Sequence, residues 1–271
     1  MQNELKSAIR FNDFVAHFGA RGVLAMAWWM GAVHAGRIRE DHTSFPFLQI
    51  VGAAGSGKSL LLGYLQKLNG QTPYSNFLGH STPAARARTF ASAGQRIVIC
   101  EEQGELGQSI DWDELKPLFS SGSMSLRSGD GLSEEVTFRG ALVITANQRL
   151  ECSDAVTSRM VTVNLSAHDA HTPRIWPEAI GNVEAAEASA VRYRDCGWKW
   201  ICSNLKAFLP AYQGQLTRKY GTDLNGRTAL NCAQMICLVD LLCNLLAVPQ
   251  DLQLETRKLV HDIAFTDTLP Y

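Results

Sequence analysis

Phe45-Pro46-Phe47-Leu48-Gln49-Ile50-Val51-Gly52-Ala53-Ala54-Gly55-Ser56-Gly57-Lys58-Ser59 passes from an apolar, strand-like run into a loop of small residues that closes on a lysine and a hydroxyl. Gly52, Gly57, Lys58 and Ser59 keep the register G-x-x-x-x-G-K-S, and Leu60 to Leu68 continue with helical period. Glycines let the backbone curl with its N–H groups facing inward, and the helix N-terminus adds partial positive charge, so such a loop is suited to phosphate. Lys58 is positioned for the β- and γ-phosphates of a nucleotide and Ser59 for Mg²⁺. Gly52, Ala53, Ala54, Gly55, Ser56, Gly57, Lys58, Ser59 and Leu60 are the expected nucleotide cradle, with ATP and Mg²⁺ as cofactors. The plain alternative is a Gly-rich turn with an incidental lysine.

Further along, Arg96-Ile97-Val98-Ile99-Cys100-Glu101-Glu102 is an apolar strand ending in two acids. Two carboxylates there divide the work expected of them, Glu101 holding the Mg²⁺ water shell and Glu102 taking a proton from the attacking water. A third strand, Ala141 to Thr145, leads to Asn147, whose amide can orient that water. Arg159, just before the run Met160 to Leu165, is expected to point toward an adjoining subunit and meet γ-phosphate charge in trans. A turn asparagine and a surface arginine are the alternatives at these two positions.

Strands alternating with helices imply a mostly parallel sheet with helices on its faces: an α/β fold with a P-loop core, residues 45–166, and helical segments at both ends. Residues 1–44 read as two helices broken near Gly19 to Gly22, forming a collar. A polar stretch containing His168, His171, Pro173 and Pro177 marks the boundary to a helical lid over 167–271. Ser81-Thr82-Pro83 is a cap opening the helix Ala84 to Ala93; Arg86 and Arg88 on it face a neighbour's nucleotide or simply stay wet. The tryptophans, Trp28-Trp29 and Trp198-Trp200 among them, fit helix packing better than a stacking platform.

Bulk composition narrows the partners. With 25 Lys+Arg against 26 Asp+Glu there is no general basic field, so contact with nucleic acid needs a local cluster. The seven scattered cysteines form no metal-binding spacing and read as reduced, small hydrophobes of a cytoplasmic chain. The apolar run Gly22 to Val33 falls short of the roughly 20 residues that span a bilayer, so no membrane is expected.

Together these motifs resemble the superfamily III helicases, a group of AAA+ ATPases that includes parvovirus-type replication proteins and the primase-helicases of phages and mobile elements. The paired acids Glu101-Glu102 and the compact spacing Lys58, Glu102, Asn147 carry the likeness. So does Trp112-Asp113-Glu114-Leu115-Lys116-Pro117-Leu118-Phe119 followed by a hairpin through Arg127, Gly129 and Gly131 to Val136-Thr137-Phe138-Arg139. The resemblance implies that this hairpin meets single-stranded DNA in a central channel, with Lys116 and Arg127 as contacts. It further implies that Gly226-Arg227-Thr228-Ala229 opens a lid helix, with Arg227 as a nucleotide sensor. Viral members often carry lysine at the hairpin tip; here the turn holds Asp130.

The reading that follows is an ATP-dependent, ring-forming DNA helicase or translocase, a hexameric replication motor of a phage, plasmid or mobile element. A primase or origin-binding domain is its expected partner. The alternative is an AAA+ switch or remodeller acting on protein; a P-loop kinase would not need Asn147 and Arg159.

Overall fold

A computed structural model of the chain describes residues 2–68, 75–76, 81–101, 111–120, 122–127, 133–166 and 197–269. Its centre is a sheet of five parallel strands. These are β1 (Phe47–Val51), β2 (Ser75–Asn76), β3 (Ile97–Glu101), β6 (Ala141–Ala146) and β7 (Met160–Asn164), in the order β2-β3-β6-β1-β7. Two further strands, β4 (Ser123–Arg127) and β5 (Ser133–Thr137), pair antiparallel as a hairpin inserted between β3 and β6.

Both faces of the parallel sheet are covered, which is why its strands read as continuous apolar runs. Alternate residues serve the two sides. Leu48, Ile50, Ile97, Ile99, Val143 and Val161 join one core, whereas Phe47, Val98, Cys100, Leu142, Ile144 and Met160 join the other. The second core holds α5 (Pro83–Ala93), a 3-10 turn (Trp112–Leu115), α6 (Lys116–Ser120) and α7 (Asp154–Thr157). Thr82 Oγ1 caps α5 by accepting from Ala85 N, with Pro83 in the first turn, as the Ser-Thr-Pro run predicts.

The first core packs α4 (Lys58–Leu68) together with helices from both ends of the chain. The N-terminal ones are α1 (Gln2–Ala8), α2 (Phe11–Ala32) and α3 (Ala35–His42). They number three rather than the expected two. The predicted break survives as a kink at Gly19 (φ 54°, ψ −149°), and Arg10, in the left-handed region, adds another before α2. The C-terminal helices are α8 (Gly197–Tyr220), α9 (Gly226–Leu246) and α10 (Gln250–Asp267).

Helix α9 is apolar all round because α2, α8 and α10 surround it. It is long and apolar enough to cross a membrane, yet 78% of its apolar window is buried inside the protein. Its two buried amides are spent on backbone: Gln234 Nε2 donates to Ser44 O and Asn231 Nδ2 to Ser158 O, each at 2.9 Å. They fasten α9 to the segments that enter β1 and β7. Asp240 on α9 accepts from Tyr212 of α8 at 2.6 Å and from Arg257 of α10, joining the three helices.

The described cysteines are free thiols, and burial pushes Cys232, Cys237 and Cys243 up to about 12, so they act as the expected core groups. The tryptophans divide. Trp28, Trp29 and Trp112 are buried, but Trp198 and Trp200 are 40% and 37% exposed, contrary to the helix-packing expectation. The buried stripe of α8 runs through Ile201, Cys202, Leu205 and Leu209. Trp200 falls off that stripe, and Trp198 lies beside α3 rather than beneath it.

Candidate functional site

The loop between β1 and α4 lies at the carboxyl edge of the sheet, flanked by β6 on one side and β7 on the other, where the crossover from β1 to β2 runs one way and that from β6 to β7 the other. That is where parallel α/β sheets bind ligands. Its glycines have steric reasons. A Cβ on Gly52 would fall 2.4 Å from Ser56 Oγ and 2.8 Å from Leu165 O, and Gly55 and Gly57 have φ of 79° and 90°. Ala53, Ala54, Gly55 and Ser59 are exposed, Leu60 is half-buried, and Ser56 is buried with its Oγ unpartnered. An open cradle of backbone at the start of an 11-residue helix results.

Lys58 crosses this cradle. Its Nζ donates to Gly52 O, to Ala53 O at 3.1 Å and to Asn147 Oδ1 at 3.0 Å. Two residues 89 positions apart, selected by motif and by strand-end position, thus meet at one edge. Strand register brings Glu101 to the same level: Ile50 pairs with Thr145, and Thr145 with Glu101, which is exposed at the end of β3. Among the described residues no three His, Cys, Asp or Glu side chains cluster for a metal. A Mg²⁺ held by one hydroxyl, one carboxylate, water and phosphate needs no such cluster. Glu102 lies outside the described residues.

Arg159 and Arg227 are elsewhere. Arg159 precedes β7, and its carbonyl accepts from Phe47 N at the start of β1, so it sits at the amino edge of the sheet. About 17 Å of strand separates that edge from the loop. Arg227, at the start of α9, donates to Ser158 Oγ at 3.0 Å. The two guanidiniums flank one ring, Phe119, at 5.4 and 6.0 Å from its centroid. Burial first, then the neighbouring Arg227, pushes the Arg159 guanidinium below its usual range, against the pull of Asp113. Neither arginine reaches the loop of its own chain in this structure.

Lys116 does not point out as a free cation; it pairs with Asp113 at 2.9 Å. Arg127 ends β4, but its side chain and the hairpin tip lie outside the described residues. Arg86 does not face outward: it is buried, with an ion pair to Glu114 and a bond to Ser81 O, while Arg88 is exposed. Sequence reasoning missed Arg39. Its buried Nη2 donates to Phe138 O at 3.0 Å and Gly140 O at 2.8 Å, clamping α3 to the base of the hairpin. No local pattern marks it, since its partners are carbonyls about a hundred residues away.

No protein-family profile and no curated protein matches the chain. Among solved structures it is similar to one titled "SCCmec type IV Cch - active helicase" with a TM-score of 0.61 at 12% identity, over 95% of this chain and 51% of that one. The chain thus spans about half the length of that structure. A fainter likeness, to the "A form apo structure of NrS-1 C terminal region-CTR", has a TM-score of 0.40 at 13% identity, over 88% of this chain and 67% of that one. The fold is an α/β core of P-loop NTPase type with helical termini, shared with that first structure.

Proposed function

We propose that the chain is the ATPase module of a ring-forming motor that moves single-stranded DNA, a helicase or translocase of superfamily III type within the AAA+ group. The observation that carries this reading is the convergence of Lys58, Asn147 and Glu101 on the phosphate cradle, with Arg159 and Arg227 on the opposite edge. A site finished only by a neighbour is what a ring provides, and a hexamer is the proposed assembly.

The cradle fits a triphosphate: its amides and Lys58 would hold the β- and γ-phosphates, and Ser59 with Glu101 would hold Mg²⁺. ATP supplies the driving free energy, and Mg²⁺ neutralises phosphate charge. In this scheme Glu102 takes the proton of the attacking water and Asn147 orients it. Arg159 of the next protomer, with Arg227 beside it, brings positive charge to the γ-phosphate; Arg227 thereby becomes a contact in trans. The fold shared with a structure titled as an active helicase supports assigning the motor to nucleic acid. So does the hairpin between β3 and β6. A phage, plasmid or mobile-element replication system, with a primase or origin-binding partner in the cytoplasm, is the proposed setting.

ATP turnover measured with and without single-stranded DNA tests this. Strong stimulation is expected; none at low salt would assign the ring to protein remodelling instead.

A further inference from the structure

Because the chain's charges nearly cancel, a nucleic-acid strand needs a local basic cluster. Such a cluster lies at the base of the hairpin. Arg39 clamps α3 there, and Gly36 comes so close that a Cβ on it would fall 2.8 Å from Arg139 O. Two open depressions adjoin at Trp198, one lined by Arg139 and by Arg37 on α3, the other by Lys199 and Lys206 on α8, and together they make the groove. Its wider part encloses about 660 Å³, leaving room beside the indole ring. Gly197 permits the approach of α8, since a Cβ there would fall 2.6 Å from His34 Nε2.

The groove carries four basic side chains against the acids Glu40 and Asp41, an excess of two positive charges, with Arg37 and Glu40 in an exposed pair at 2.8 Å that a phosphate can displace. Burial lowers His34 and His42 below the usual imidazole range, so both are neutral at pH 7 and the excess charge comes from Arg and Lys. Trp198 is the exposed ring at its centre, with the Arg37 guanidinium 5.0 Å and the Lys199 ammonium 5.5 Å from the ring centroid. A ring for a base, bordered by cations for phosphates, is the combination that single strands take independently of sequence.

We infer that the groove between α3 and α8 binds single-stranded nucleic acid, with Trp198 stacking a base and Arg37, Arg139, Lys199 and Lys206 meeting phosphates. It rests on the motor reading for the origin of the strand, which the hairpin would deliver to its own base. Binding itself needs no nucleotide, so the test is independent of the cradle.

The test titrates full-length chain into a fluorescein-labelled 20-mer of thymidylate in nucleotide-free buffer, read by anisotropy. Trp198→Ala weakens binding about ten-fold while the melting temperature stays at the wild-type value, because the ring is exposed. The double variant Lys199→Gln, Lys206→Gln makes the slope of log K against log salt shallower by about 1.4. Wild-type affinity and slope in both variants, or no binding by the wild type, overturns the assignment. So does unchanged affinity accompanied by smaller particles in sedimentation, which would make the groove a subunit contact.

Discussion

Lys58 and Asn147 share a hydrogen bond, but their roles separate on substitution. Lys58→Ala removes the only side-chain ammonium in the cradle and is expected to abolish nucleotide binding and turnover together. Asn147→Ala leaves the cradle intact and is expected to lower kcat by about 10²-fold with nucleotide affinity changed far less, because a positioning group acts on the attacking water. Single-turnover and binding measurements on the two variants separate these outcomes; equal loss of affinity in both would deny Asn147 its role. Glu102→Gln is expected to retain ATP while stopping turnover, and normal hydrolysis by it would remove that carboxylate from the scheme. The placement of Lys58, Ser59, Glu101 and Asn147 at one edge of the sheet was legible in the sequence because motif spacing and strand ends are local signals. The pairing of Arg159 with Arg227 was not, since a contact across 68 residues, made through Ser158 and Phe119, leaves no periodic trace.

At the scale of elements, the four main strands fall within one or two residues of their expected positions, because a parallel strand buried on both faces is an unbroken apolar run. The helices were harder. An apolar run such as Val23 to Met30 signals burial but not where the helix ends, and the left-handed turn at Arg10 has no composition to announce it. Packing between α2 and α9 is tight at Gly31, where a Cβ would fall 2.8 Å from Leu238 Cδ1. Leu238→Ala opens a cavity at this fully buried position and is expected to cost about 2–5 kcal/mol, measured by denaturant unfolding. The Arg39 clamp makes a different prediction. Arg39→Ala leaves two buried carbonyls unpaired, costs about 1–3 kcal/mol, and raises amide exchange across 133–140 before it melts the sheet. Global unfolding without that local loosening would show that Arg39 does not hold the hairpin.

For the whole molecule, helices from both chain ends form one layer on one sheet face, while the cradle and the arginine pair occupy opposite edges. Burial lowers the pKa of His34, His42 and His261 from 6.5. Below pH 6.5 the unfolded chain therefore binds protons that the folded chain resists, and stability is expected to fall from pH 7 toward pH 5. Denaturant midpoints across that window check the sign. The arrangement of edges predicts complementation: Arg159→Ala subunits mixed with Lys58→Ala subunits regain part of the ATPase, because mixed rings contain intact sites, and no recovery would exclude the shared geometry.

Both edges matter only if the cradle takes nucleotide. Calorimetric titration of the folded chain with a slowly hydrolysed ATP analogue, with and without Mg²⁺, measures that directly. The account predicts magnesium-dependent binding at one site per chain that Lys58→Ala eliminates; absence of binding, or binding indifferent to Lys58, contradicts it.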